Sequence, residues 1–298
     1  MAIITGCSNS ETLSSKKTKT ETEKTYQGKP LLIGLIPERN IFEQIERYKP
    51  LAEYLSKETG INIKLKVLTR YGNIIDNFLS VGIDGAFFGS FVYTLAHAKL
   101  GIEVIARPES IEGISTYHGL VFVRKNNGIK TAKDMKGKIF AFVDKAVTAG
   151  YLLPLAYFKE NGIKDYRTYL KETYFSGTHE GVIYDVLNKK ADIGAAKNTE
   201  FYRLADIDSR IKNELIILKR SPDVPENGFA VRKDLDISIK NKLKEALLNM
   251  HNVPDGRIVL SDFGAHRFIV TTDDDYVNVY KYAKEINLDL TTYDYMND

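Results

Sequence analysis

From Pro30 onward the chain alternates short apolar runs with segments of helical spacing, and this order constrains the fold more than any other feature. PLLIGLIP is a short apolar run ending in proline, suited to a buried parallel strand. IFEQIERYKPLAEYLSKETG then repeats its apolar residues at three and four, and Gly60 closes it as a helix. INIKLKVLT alternates like a strand, YGNIIDNFLSVG is helical, DGAFFG is a strand, SFVYTLAHAKLG a helix and IEVIARPE a strand. This order predicts parallel-dominated sheets flanked by helices, an α/β fold. The same grammar restarts at YHGLVFVRK and continues through KIFAFVD, TAGYLLPLAYFKENG, TYFSGTHEGVIYDVLNKK, ADIGAAKN and LIILKRSP. GFAVRKDL then returns the chain to the first unit, and two helices follow. The expected organisation is a first lobe over residues 29–117 and 228–298 and a second over 118–227, joined by a hinge. Residues 1–28 stand apart.

With 298 residues, of which 43% are hydrophobic, the chain is long enough for two lobes of ordinary size. Lys plus Arg total 42 against 39 Asp plus Glu, spread along the chain, which argues against nucleic-acid binding. No apolar run approaches the roughly 18 residues of a membrane-spanning helix. The single cysteine, Cys7, lies in Ile4-Thr5-Gly6-Cys7, which has the form of a bacterial lipoprotein processing box with its signal peptide shortened. Residues 8–28 are polar and charged, suited to a disordered tether. The layout of lipid on Cys7, tether and globular body suits a protein held just outside a membrane.

VDKAVTAGYLLP, residues 143–154, reads as the end of a strand, a tight turn and a helix starting near Thr148. The first N–H groups of a helix have no partner inside it, so such a turn is suited to an anion. Thr148 brings a hydroxyl, Ala149 and Gly150 bring backbone N–H groups, and Gly150 would admit a close approach. Taken alone, the tripeptide TAG reads first as an ordinary threonine cap on a helix. His179 follows the SGT turn at another helix start, where it can donate to an anion if its other ring nitrogen is held. Tyr71 precedes a helix and offers a phenol. Phe88 would be an apolar wall, and Glu200 and Asn227 would meet a polar or cationic ligand tail. His97, His118, His251 and His266 show no metal-ligand spacing, so neither a metal site nor a cofactor is expected. Ligands of open parallel sheets sit at the carboxyl ends of strands, which places these residues around a cleft between lobes.

Tyr71-Gly-Asn-Ile-Ile75, DGAFFGSFVYTLAHA, YHGLVFVRK, KTAKDMKGKIFAFVDKAVTAGYLLP, SGTHEGVI and SPDVPENGFAVRKDL, taken in order over about residues 30–270, resemble the phosphonate/phosphite-type solute-binding proteins of ABC transporters. The resemblance implies a two-lobed periplasmic-binding-protein fold (type II) closing on a phosphorus oxyanion of phosphonate, phosphite or phosphate type. It also implies a membrane permease as partner and an extracytoplasmic location. On it, Tyr71, Phe88, the Val147-Thr148-Ala149-Gly150 turn and His179 occupy the family's ligand positions. Val147 and Ala149 stand where the family has serine, which removes two hydroxyl donors. A monomer is expected. The alternative role is a receptor presenting its ligand state to a membrane histidine kinase. Catalysis is not expected: the sequence shows no nucleophile-base pair, paired carboxylates, P-loop or dinucleotide fingerprint.

Overall fold

The computed structural model describes residues 1–2, 28–38, 40–68 and 70–297; Cys7 and the residues expected to form the tether lie outside them, Gly28 excepted. The described strands are β1 Leu31–Leu35, β2 Ile63–Val67, β3 Gly85–Phe88, β4 Glu103–Glu109, β5 Thr116–Tyr117, β6 Gly119–Arg124, β7 Ile139–Phe142, β8 Glu172–Phe175, β9 Ile193–Lys197, β10 Leu215–Arg220, β11 Val224–Pro225, β12 Gly228–Val231 and β13 Arg267–Val270. They build a six-stranded sheet in the order β13-β4-β12-β3-β1-β2, a five-stranded sheet β10-β6-β9-β7-β8, and a two-stranded ribbon β11-β5 through which the chain passes between the two.

Local chemistry sets the helices that pack on these sheets. The helix Ile41–Thr59 starts where the Asn40 side chain accepts from the N–H groups of Phe42 and Glu43, and stops at Gly60, whose φ of 69° is the left-handed conformation that glycine adopts without strain. Its buried Tyr48, Leu51, Ala52 and Leu55 recur at three and four, and the Tyr48 ring packs edge-on to Phe87 of β3. β2 alternates buried and more exposed residues because it is an edge strand with one face on the core.

Each sheet holds a parallel trio, β2-β1-β3 in one and β9-β7-β8 in the other. Around the trios the sheets are more mixed than strand-helix alternation suggests. β12 runs antiparallel to β3 and β4, and β6 antiparallel to β9 and β10. The register gives the reason: Gly228 at the start of β12 faces Phe88 at the end of β3, and Gly119 at the start of β6 faces Lys197 at the end of β9. A strand that arrives from the ribbon enters its sheet at the carboxyl end of the parallel trio and must run back against it.

The end of the chain, which the sequence-based expectation leaves with the first lobe, makes contacts on both sides. The Tyr295 hydroxyl donates to Asp76 beside the first sheet at 2.8 Å. On the second-sheet side the Tyr293 hydroxyl donates to the Lys145 carbonyl at 3.0 Å, and the Asn297 amide donates to Asp144 at 2.8 Å. The tail therefore ties both lobes together.

Candidate ligand site between the lobes

The segments that follow β1, β2, β3, β7 and β8 meet the end of β9 at the ribbon, and they border a cavity of about 10 Å³ lined by Glu38, Tyr71, Val147, Thr148, His179 and Asn227, among others. That volume accommodates one water-sized sphere. Five residues singled out from sequence, Tyr71, Val147, Thr148, His179 and Asn227, thus come together from segments far apart in the chain.

Thr148 opens a π-helical turn, Thr148–Leu152, that leads into the helix Leu153–Glu160. The turn closes when the Leu152 N–H donates to the Val147 carbonyl, so the N–H groups from Thr148 to Tyr151 precede its first internal bond. The Thr148 hydroxyl oxygen accepts from the Phe91 N–H at 2.8 Å. Phe91 lies in the first turn of Ser90–Leu100, a helix of the other lobe that begins right after β3. Two helix starts therefore face each other across the cleft, joined by one hydroxyl.

His179 begins the helix His179–Leu187, capped by the Thr178 side chain, which accepts from the Gly181 N–H. The imidazole is buried, and its Nδ1 lies 3.2 Å from the Lys197 backbone N–H. A nitrogen that accepts that bond carries no hydrogen, so Nε2 carries it and is a donor. Burial lowers the ring's pKa to about 4, against the opposing pull of Glu38, so the ring is neutral at neutral pH. Tyr71 packs edge-on to this ring, and its buried hydroxyl has no hydrogen-bond partner among the described residues. Burial holds that phenol well above its ordinary pKa, which keeps its proton in place.

Sequence reasoning missed the charged side of the site. Lys197 ends β9 in the second lobe, and its ammonium reaches Glu38 at 3.4 Å, the Asn227 amide oxygen at 3.5 Å and Glu226, and lies 4.5 Å from the centre of the Tyr117 ring. Glu38 also accepts from the Asn227 amide at 2.8 Å and lies 3.8 Å from Arg47. Burial works to raise the Glu38 carboxyl, yet Lys197 and Arg47 outweigh it and hold the pKa at about 2. Burial likewise works to lower Lys197, and Glu226 and Glu38 keep it above its ordinary value. Glu38 and Lys197 are therefore both charged in the folded protein at neutral pH. Their place at the carboxyl ends of IGAAK and LLIGLIP fits the ends of strands where ligands of parallel sheets sit, but it does not by itself tell a buried charge from a solvated one.

The remaining expectations fall elsewhere. Phe88 is fully buried and packs on Phe78, while its neighbour Gly89 borders the cavity. Ala149 and Gly150 lie within the turn and do not border the small cavity. A side chain carbon on Gly150 would come within 2.3 Å of Val143, so the packing of the turn on its own strand requires a glycine here. Glu200 pairs with Arg203 at 2.8 Å and borders a separate, larger cavity of about 700 Å³, which shares Lys197 with the small one. Among the described residues no group of three or more His, Cys, Asp or Glu is placed to hold a metal, and no helix is long and apolar enough to cross a membrane.

Residues 33–276 match a family described as the periplasmic substrate-binding protein of phosphonate ABC transporters. A phosphonates-binding periplasmic protein of Escherichia coli is 24% identical over 252 residues, 83% of this chain and 74% of that protein. A phosphate-import protein of Mycolicibacterium smegmatis is 28% identical over 244 residues, 77% of this chain and 75% of that one. In three dimensions the chain resembles the binding-protein component of an ABC phosphonate transporter from Pseudomonas aeruginosa, with a TM-score of 0.80 at 23% identity over 87% of each chain.

Proposed function

We propose, from the premise that this chain belongs to the periplasmic substrate-binding proteins of phosphonate ABC transporters, that it captures a small phosphorus oxyanion between its lobes and presents it to a membrane permease without turning it over. The observation that carries this reading is the convergence of Thr148, Tyr71 and neutral His179 on one buried interlobe cavity. An oxyanion taken from water must have its lone pairs met by donors. The Tyr71 hydroxyl, the His179 Nε2–H and the N–H groups at the start of the Thr148 turn are such donors, and helix starts favour negative charge. With Val147 and Ala149 in place of hydroxyl residues, the share carried by Tyr71, His179 and the backbone rises. Because the cavity is lined from both lobes and its walls are buried, ligand entry and exit go with parting and closing of the lobes, the motion a transporter reads.

The family's place is outside the cytoplasm, and we assign Cys7 as the lipid-bearing residue that holds the body there through the polar segment after it. Fatty-acid labelling of the full-length protein in cells, lost in Cys7→Ser, checks that assignment.

The oxyanion reading is tested by thermal-shift titration with phosphate, phosphite, methylphosphonate and sulfate. A ligand at 1,000 times its dissociation constant stabilises the bound form by about 4 kcal/mol. A selective rise in melting temperature with a phosphorus oxyanion, weakened in Thr148→Ala, is the expected result. No rise with any of these anions overturns the reading.

A further inference from the structure

We propose that Lys197 sets the ligand specificity of this site: its ammonium is a tethered occupant of a cation-binding box, and the ligand is therefore a small oxyanion that bears no cationic substituent. The inference deepens the oxyanion reading and rests on it for the identity of the anion.

A primary ammonium has three donors and no acceptor. Around the Lys197 nitrogen stand three acceptors, from Glu38, Glu226 and Asn227, together with the face of Tyr117. Glu38 follows β1, Tyr117 lies in β5, and Glu226 and Asn227 lie between β11 and β12, so the box belongs to the first lobe and the ribbon, whereas the ammonium comes from the second lobe. Nothing in the box depends on the ammonium being attached to this chain. A ligand ammonium would satisfy the same acceptors, but the lysine already holds them, so the two cations compete for one set of partners.

Charge leads to the same conclusion. Glu38 and Glu226 are matched by Lys197 and Arg47, so these two carboxylates do not by themselves oppose an anion entering beside Thr148 and His179. Without the lysine, two carboxylates would face one arginine. That site would repel a bare oxyanion and accept one that brings its own ammonium.

The experiment compares methylphosphonate with 2-aminoethylphosphonate, which share the oxyanion and differ in the ammonium, by calorimetric titration of the wild-type protein and of Lys197→Ala. Wild type should bind methylphosphonate at least tenfold more tightly, and Lys197→Ala should reverse the preference by at least tenfold. A second readout needs no anion: ethylammonium chloride should raise the melting temperature of Lys197→Ala in a saturable way and leave wild type unchanged. Equal binding of the two phosphonates by wild type overturns the proposal. So does a folded Lys197→Ala that neither gains the aminoethyl ligand nor responds to ethylammonium. If no phosphonate binds either protein while ethylammonium still stabilises the variant, the box stands and the oxyanion reading alone fails. Should Lys197→Ala not fold, Lys197→Ala/Glu226→Gln leaves one carboxylate opposite Arg47 and should lose the wild-type preference, binding the two phosphonates about equally; a preference for methylphosphonate kept at tenfold overturns the proposal.

Discussion

The Lys197 backbone N–H donates to Nδ1 of His179 at 3.2 Å, so one residue both fixes the imidazole tautomer and carries the ammonium beside it. The buried ring has a pKa of about 4, against 6.5 for an ordinary histidine. A base held neutral in the fold stabilises it above pH 6.5, and that stability is lost as pH falls toward 4, because only the unfolded chain takes up the proton in that window. A displacement of this size corresponds to about 3 kcal/mol. Glu38, at about 2 against 4.5, acts in the same direction but only below pH 4.5. From pH 6.5 to 4.5 Glu38 does not contribute, while His118, whose pKa burial also lowers, acts in the same direction, so the comparison of variants is what separates out His179. Urea unfolding of wild type and His179→Gln across that interval should show a steeper loss in wild type; parallel curves would remove His179 as the cause.

Tyr71→Phe should move stability and affinity in opposite directions. The hydroxyl is buried without a partner among the described residues, so removing it should leave the ligand-free protein as stable or up to about 1 kcal/mol more stable. If the same hydroxyl donates to a bound oxyanion, the charge-assisted bond lost is worth about 1.5 to 3 kcal/mol, a weakening of roughly tenfold or more. Chemical denaturation and calorimetry on the same samples measure both. A variant that loses stability and keeps its affinity would make Tyr71 a packing residue.

Much of this architecture is legible from residue pattern. Asn40 and Gly60 mark the ends of a helix by their own chemistry, and Tyr71, Thr148, His179 and Asn227 stand at turns where a strand hands over to a helix or another strand. What escaped was non-local. Lys197 is 159 residues from Glu38, and nothing near either residue reveals that both are buried against each other. Read in isolation, each is a charged residue beside a strand, which usually means a solvated loop. Phe88 misleads for a related reason: alternation in β3 decides which face a side chain takes, and that depends on the partner strand β12, 140 residues later. The antiparallel entry of β6 and β12 was equally hidden, since it follows from where the ribbon meets the sheets.

Gly150→Ala tests whether this glycine serves packing. The added carbon would sit 2.3 Å from Val143 Cγ2 and 2.6 Å from its Cβ, closer than any real contact. Overpacking of this kind costs about 1 to 3 kcal/mol. The companion Val143→Ala removes the obstructing methyl groups, so the double variant should recover part of the loss. A destabilisation unaffected by Val143→Ala would place the strain in the backbone of the turn instead.

Removal of residues 290–298 should loosen the closed arrangement of the lobes. This segment carries Tyr295, bonded to Asp76 on one side of the cleft, and Tyr293 and Asn297, bonded to Lys145 and Asp144 on the other. Asp144 also accepts from the Ala146 N–H at 2.8 Å, within the loop that leads to Thr148, so the tail steadies the approach to the anion turn as well as bridging the lobes. A typical hydrogen bond contributes about 0.5 to 1.5 kcal/mol, and several are lost together. The truncated protein should show a lower melting temperature and, in solution scattering without ligand, a larger radius of gyration. Tyr293→Phe, which deletes one of these bonds, should fall between the two. If truncation lowers the melting temperature without changing the radius, the tail supports the individual lobes and does not hold them together.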